Sequence, residues 1–197
     1  MRRIMNGRKS NWGVILGLAV GMATLAASGS NLNADEKTER KKIDAGGLSF
    51  EVPKTWKNEQ PSSRMRRAQL KVEPVKGDKE PAELVVFAFP GGAGTVQANI
   101  KRWEEQFKDK DGAAPKAETK TVKVKDLEVT RVEVSGRYVA AVQPGSPEKL
   151  DKPNFRLLGA IVQTDQAGYY LKMIGPDKTM KAAEADFDKL IESIKSE

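Results

Sequence analysis

Between Leu48 and Gly175 most apolar residues recur at every second position, and only two stretches of the chain show helical spacing. Period two belongs to strands and period 3.6 to helices, so this pattern limits the fold more than any other feature. The strand-type segments are LSFEV (Leu48–Val52), AQLKV (Ala68–Val72), LVVFAF (Leu84–Phe89), TVKVK (Thr121–Lys125), LEVTRVEV (Leu127–Val134), FRLLGAIVQT (Phe155–Thr164) and GYYLKMIG (Gly168–Gly175). LVVFAF is apolar throughout, which places it in the middle of a sheet covered on both faces. LEVTRVEV changes phase: Leu127 and Val129 are in step, while Val132 and Val134 fall one residue out. An inserted residue near Thr130–Arg131, a β-bulge, is the expected cause. Lys125-Asp126 and residues 165–168 are the expected hairpin turns.

The first helical stretch carries Val96, Ile100, Trp103 and Phe107 within about 60° of arc, with Thr95 as its N-cap. The second runs from about Asp177 to Lys195, with Met180, Ala183, Phe187, Leu190 or Ile191, and Ile194 as its stripe. The order β-β-β-α-β-β-β-β-α has one helix between strands and polar loops elsewhere. It predicts an α+β fold, a largely antiparallel sheet of six to seven strands packed with two main helices in an α/β/α sandwich.

The N-terminus differs from the rest. Arg2, Arg3, Arg8 and Lys9 precede GVILGLAVGMATLAA (Gly13–Ala27) and then small residues. This is the plan of a secretory signal peptide, expected over residues 1–34, with cleavage after Ser28, Ser30 or, as preferred, Ala34. The apolar run is shorter than the roughly twenty residues of a spanning helix. Residues 35–45 are polar and read as a flexible lead-in, and residues 46–197 as a single domain. The whole chain has 34 basic and 27 acidic residues. Four of the basic residues lie in the leader, leaving 30 against 27, with the signs mixed along the chain. Arg64-Met65-Arg66-Arg67 is the one local basic cluster, which argues against a nucleic-acid partner. The chain has no cysteine, so an exported form must hold by packing without disulfides.

LVVFAF runs into Pro90-Gly91-Gly92-Ala93-Gly94-Thr95 and then the first helix, the strand–loop–helix order that holds phosphates in many proteins. The Walker pattern fails for want of a Lys-Ser/Thr pair, and the dinucleotide pattern lacks its third glycine. The loop reads as a tight corner in which glycine supplies positive φ. Gly92, Gly94, Thr95 and Asn99 are kept as candidate binding residues because a helix N-terminus attracts anions.

Histidine is absent as well, which excludes Ser-His-Asp and Cys-His chemistry and the usual zinc and copper sites. Asp109-Lys110-Asp111-Gly112 lacks the spacing of a calcium loop. No metal and no cofactor is expected. Glu104 and Glu105 diverge by about 100° on a helix, so they make no acid–base pair. Lys172 inside YYLKM stands out as a lysine to examine for a perturbed pKa, and Arg102 and Arg156 are expected in structural ion pairs. Asn99 and Gln106 are expected to bond a neighbouring loop. AAVQPGSPEKLDKPN (Ala140–Asn154) is too long for a hairpin turn and is the expected variable, functional surface.

LSFEVPKTW resembles the opening strand of PsbP-like domains, a fold shared by the photosystem PsbP proteins and a Ran-GTPase-binding protein. GTVQANIKRWEEQF, FRLLGAIV and YYLKMIGPDKTMKAAEADFDKLIESI are similar to a group of exported bacterial proteins of planctomycete type. The likeness covers most of residues 46–195. It implies an antiparallel sheet between helices, and members that bind or assist rather than catalyse. It supplies no catalytic residues. Manganese ligation is not implied, since the chain has no histidine. The expected function is an exported, non-enzymatic binding or accessory domain that binds a protein, an envelope component or a small ligand. The alternatives are a hydrolase using carboxylates or a Ser-Lys pair, and an envelope protein tethered by an uncleaved N-terminus.

Overall fold

The computed structural model describes residues 38–142 and 145–197. The expected leader with its Ala34 cleavage site, residues 35–37, and Gln143 and Pro144 of the 140–154 loop lie outside the described residues. In chain order the elements are β1 (Arg40–Asp44), β2 (Leu48–Pro53), β3 (Lys57–Glu59), β4 (Arg66–Val72), β5 (Ala82–Pro90), α1 (Val96–Glu104), β6 (Phe107–Lys108), β7 (Glu118–Val124), β8 (Leu127–Tyr138), β9 (Lys152–Gln163), β10 (Ala167–Pro176), α2 (Asp177–Glu192) and β11 (Lys195–Ser196).

The main sheet has eight strands in the order β3-β4-β5-β10-β9-β8-β6, with β7 also paired to β8. All its pairings are antiparallel. A smaller sheet, β1-β2-β11, has β2 at its centre. Each face of the main sheet carries its own core. On one face Leu84, Val86, Leu158, Ala160, Leu171 and Met173 pack with β2 and with Met180, Phe187 and Leu190 of α2. On the other, Val132, Val134, Leu157, Ile161 and Tyr170 pack with Ile100 and Trp103 of α1 and with Phe107. The fold class expected from the alternation is the one observed, with additional short strands.

Three expectations are corrected. The polar lead-in over residues 35–45 holds a strand from Arg40, paired to β2 with Ile43 opposite Phe50. Ile43 is buried in the core, and Arg40 donates from Nη1 to Asp186 of α2 at 2.8 Å. One apolar residue in five leaves no alternation to detect. The bulge near Thr130–Arg131 is absent: register between β8 and β9 is unbroken from Val129 to Gly136 and shifts only between Gly136 and Tyr138. Val129 belongs to the α2-side core and Val132 and Val134 to the α1-side core. β8 simply changes which face it buries, so the phase change needs no extra residue. Finally, α1 ends at Glu104, before Phe107. Phe107 joins the sheet opposite Tyr138, and the Val139 amide donates to the Gln106 carbonyl at 2.7 Å. The sheet takes backbone groups that one more helical turn would have used.

Candidate functional site

The glycine corner is knit inward. Gly91, Gly92 and Gly94 have φ of 75°, 85° and 89°, the conformation that favours glycine. Thr95 caps α1, its side chain accepting from the Ala98 amide at 3.1 Å. Asn99 is buried and donates from Nδ2 to the carbonyls of Ala93 at 3.1 Å and Thr95 at 2.9 Å. Arg102, expected in an ion pair, instead donates to Asn99 Oδ1 at 3.0 Å and to the Ala93 carbonyl at 3.2 Å and has no carboxylate at ion-pair distance among the described residues. The Ala93 amide donates to the Tyr170 hydroxyl at 3.2 Å. Asn99 thus bonds its own corner, where sequence reasoning expected a neighbouring loop.

Arg156 lies on the α2 face, at the far side of the sheet from Lys172. It forms an ion pair with Glu133 and donates from Nε to Asp177 Oδ1 at 2.8 Å. Asp177 also pairs with Lys181 at 2.9 Å. A depression of about 560 Å³ opens here, but its main charges are matched to one another. The six candidate residues therefore fall in three places: Gly92, Gly94, Thr95 and Asn99 at the corner, Arg156 at the start of α2, and Lys172 on the α1 face.

Lys172 is where the chemistry gathers. On β10 its neighbours in the face are Tyr170 and Ile174, and it stands opposite Val85 of β5 and Gly159 of β9. Its Nζ donates to Gln106 Oε1 at 2.5 Å, just past the end of α1, and lies 5.6 Å from the centre of the Tyr138 ring. Burial pushes its pKa down to about 8; Glu83 opposes that shift and Arg66 adds to it. Burial likewise raises the Tyr138 phenol, and Glu83 raises it further.

These residues floor a cleft of about 760 Å³, within the roughly 300–1,000 Å³ usual for small-molecule sites. The cleft exists because α1 is short and covers only part of its face. Phe87 and Phe89 of β5 are therefore half-buried, and Arg66 stacks 6.0 Å from the Phe87 ring centre. The opposite wall comes from residues 139–142, Leu150 and Lys152. Leu150 donates its amide to the Ala140 carbonyl at 2.7 Å and Val142 to the Glu148 carbonyl at 3.0 Å, so this segment folds back as an irregular hairpin. Val139, Ala140, Ala141, Val142, Leu150 and Lys152 all line the cleft. Part of the 140–154 loop and Lys172, picked out separately in the sequence, thus meet in one place.

Sequence reasoning missed Glu83, Arg66 and Tyr138. Glu83 accepts from Gln69 Nε2 at 2.6 Å and pairs with Arg66 at 3.4 Å. It precedes the apolar run of β5 directly, and a charge at the mouth of a central strand was the available signal. Arg66 sat in the basic cluster, whose residues diverge: Arg64 and Arg67 are exposed while Arg66 is half-buried.

No protein-family model and no curated relative matches the chain. The architecture is that of PsbP-like α+β domains. The chain is similar to the solution structure of cyanobacterial PsbP (CyanoP) from Synechocystis sp. PCC 6803, with a TM-score of 0.50 over 81% of this chain and 92% of that one. Identity is 13%, so the likeness is one of fold.

Proposed function

We propose that the protein is an exported, non-enzymatic binding or accessory domain that takes its ligand or partner in the cleft over Lys172. The observation that carries this reading is the unfinished cover of the α1 face. A half-buried lysine with no carboxylate at ion-pair distance among the described residues lies at the base of a roomy cleft, walled in part by an irregular segment outside the main sheet. The PsbP-like fold supports an accessory role, and the leader pattern of residues 1–34 supports export.

The hydrolase reading draws on Lys172, but among the described residues no serine or threonine lines the cleft. Of the three cleft carboxylates, Glu83 and Glu80 are engaged by Arg66 and Lys152 and Glu105 is solvent-exposed, so the cleft offers no buried, unpaired carboxylate as a general base among the described residues. The tethered alternative turns on residues 1–34, which lie outside the described residues. The mass of the native N-terminus distinguishes cleavage after Ala34 from retention.

The test is amide chemical-shift mapping of the isotope-labelled exported protein against fractionated envelope extract. Saturable shifts at Tyr138–Val142, Leu150 and Lys172 support the cleft. Shifts confined to other surfaces, or turnover of ester or peptide substrates that Lys172→Met abolishes, overturn the reading.

A further inference from the structure

We infer that the cleft over Lys172 binds a monocarboxylate with an apolar body, its carboxylate held by the Lys172 ammonium and its body laid against Tyr138, Phe155, Ile174 and the Val142 wall. This rests on the cleft being the binding site and names the class of ligand it takes.

The charge pattern is the first argument. An ammonium has three donors. Lys172 directs one to Gln106 and, among the described residues, has no carboxylate within ion-pair distance. The carboxylates beside it already have cations: Glu83 is held by Arg66, and Glu80 by Lys152 at 2.7 Å. Arg102, on the same rim, bonds only an amide oxygen and a carbonyl. Among the described residues, therefore, neither of two cations facing one cavity has a carboxylate at ion-pair distance. A half-buried cation is stabilised by an anion brought to it, because the lower local dielectric strengthens the pairing.

The second argument limits the charge of the ligand. Glu80, Glu83 and the exposed Glu105 also line the cleft. With Arg66, Arg102, Lys152 and Lys172 the lining has four cations against three carboxylates, an excess of one positive charge that suits a single carboxylate better than a phosphate dianion. The third argument is the wall. Val142 is 49% exposed, one of two large apolar side chains so exposed among the described residues. With Tyr138, Phe155, Leu150 and Ile174 it gives the cleft an apolar side next to its charged floor. A ligand matching both sides has a single acidic head and an apolar chain or ring. The lowered pKa of Lys172 adds a signature, since the amine loses its charge, and with it the head-group contact, as pH rises past about 8.

The experiment titrates the full exported protein with octanoate, octanol, octylamine and octyl phosphate, reading amide shifts and calorimetry at pH 7 and pH 9.5. Saturable octanoate binding at Tyr138–Val142 and Lys172 is expected, at least tenfold tighter than octanol or octylamine and tighter than octyl phosphate. Raising the pH to 9.5 should weaken octanoate at least fivefold and leave octanol unchanged. Lys172→Met should lose the preference for octanoate over octanol. Val142→Asp, at an exposed position where folding is not at stake, should weaken octanoate at least fivefold. Equal binding of octanoate and octanol, preference for octylamine or octyl phosphate, or full octanoate affinity in both variants overturns the inference. If envelope fractions shift the cleft resonances and the carboxylates do not, this ligand class falls while the cleft stands. If neither shifts them, both readings fall.

Discussion

Trp103 of α1 lies so close over Gly159 of β9 that a Cβ on the glycine would stand 2.3 Å from Cζ3 of the indole and 2.9 Å from Cη2. The absent side chain is what lets a short helix dock on the sheet, because the indole fills the space a side chain would occupy. Gly159→Ala must push the ring outward and lift α1. Overpacking of this kind destabilises by about 1–3 kcal/mol. The expected result is a lower urea midpoint together with altered near-ultraviolet dichroism from Trp103. In a Trp103→Leu background the same alanine should cost less, because the clash is gone, and a double-mutant cycle measures the coupling.

Lys172 gives a stability that depends on pH. Its pKa is about 8 in the folded protein against an ordinary 10.5. Between those values the unfolded chain binds more protons than the folded one, so the residue's contribution to stability rises with pH. Below about 8 the fold bears the full penalty of holding a charged ammonium, and by about 10.5 that penalty is gone. Urea titrations of the wild type and Lys172→Met at pH 7 and pH 10 check this. The wild type should gain on the variant as pH rises. A difference that stays level across that range would show that Lys172 titrates normally.

Much of the fold was legible in the sequence because each strand long enough to span the sheet carries its own signal, an alternation or, in β5, an unbroken apolar run. Lys125-Asp126 formed the expected two-residue turn, with Lys125 at φ 55° and Val124 opposite Leu127. β1, β3, β6 and β11 were not legible, since two to five mostly polar residues owe their pairing to the chain they lie beside. The phase change in β8 was visible but misread, because a sequence does not say that both faces of a strand are covered at different points. The site was legible only in fragments. Lys172 and the 140–154 loop each stood out, but their meeting depends on α1 stopping at Glu104 and on Tyr138 and Phe107 pairing across the sheet. Neither is a local property.

The start of α2 is held by a residue about a hundred positions away. Pro176 precedes the helix and offers no side-chain cap. Asp78 Oδ2 takes that role, accepting from the Thr179 amide at 2.8 Å and the Thr179 hydroxyl at 2.7 Å. Asp78→Ala leaves those donors without a partner and is expected to cost about 0.5–2 kcal/mol, as for loss of an N-cap. Hydrogen exchange should show earlier opening of the 75–80 loop and the first turn of α2, with the main sheet unaffected. Asp78→Asn, which keeps an acceptor oxygen, should recover most of the loss.

Arg131 fastens β8 to α2 through three carboxylates. Its guanidinium reaches Asp188 at 2.7 Å and Glu184 at 2.7 Å on the helix, and Glu133 at 3.0 Å on its own strand. The arginine and Glu133 side chains are only 16% and 14% exposed, while Asp188 is 46% exposed. The three contacts are therefore unequal. Asp188 and Glu184 rehydrate when the arginine is removed, and pairs that exposed are worth roughly 0–1 kcal/mol. Glu133 stays between strands with Arg156 as its remaining partner. Arg131→Met should cost about 1–3 kcal/mol, short of the 3–5 kcal/mol for orphaning a buried charge, because Arg156 still compensates Glu133. Asp188→Asn and Glu184→Gln should each cost under about 1 kcal/mol, and that small loss should fade near 1 M salt, where the Debye length is about 3 Å. Urea unfolding of the three variants at low and high salt makes the comparison. A loss for Arg131→Met no larger than for Asp188→Asn would mean that the strand-side contact contributes nothing.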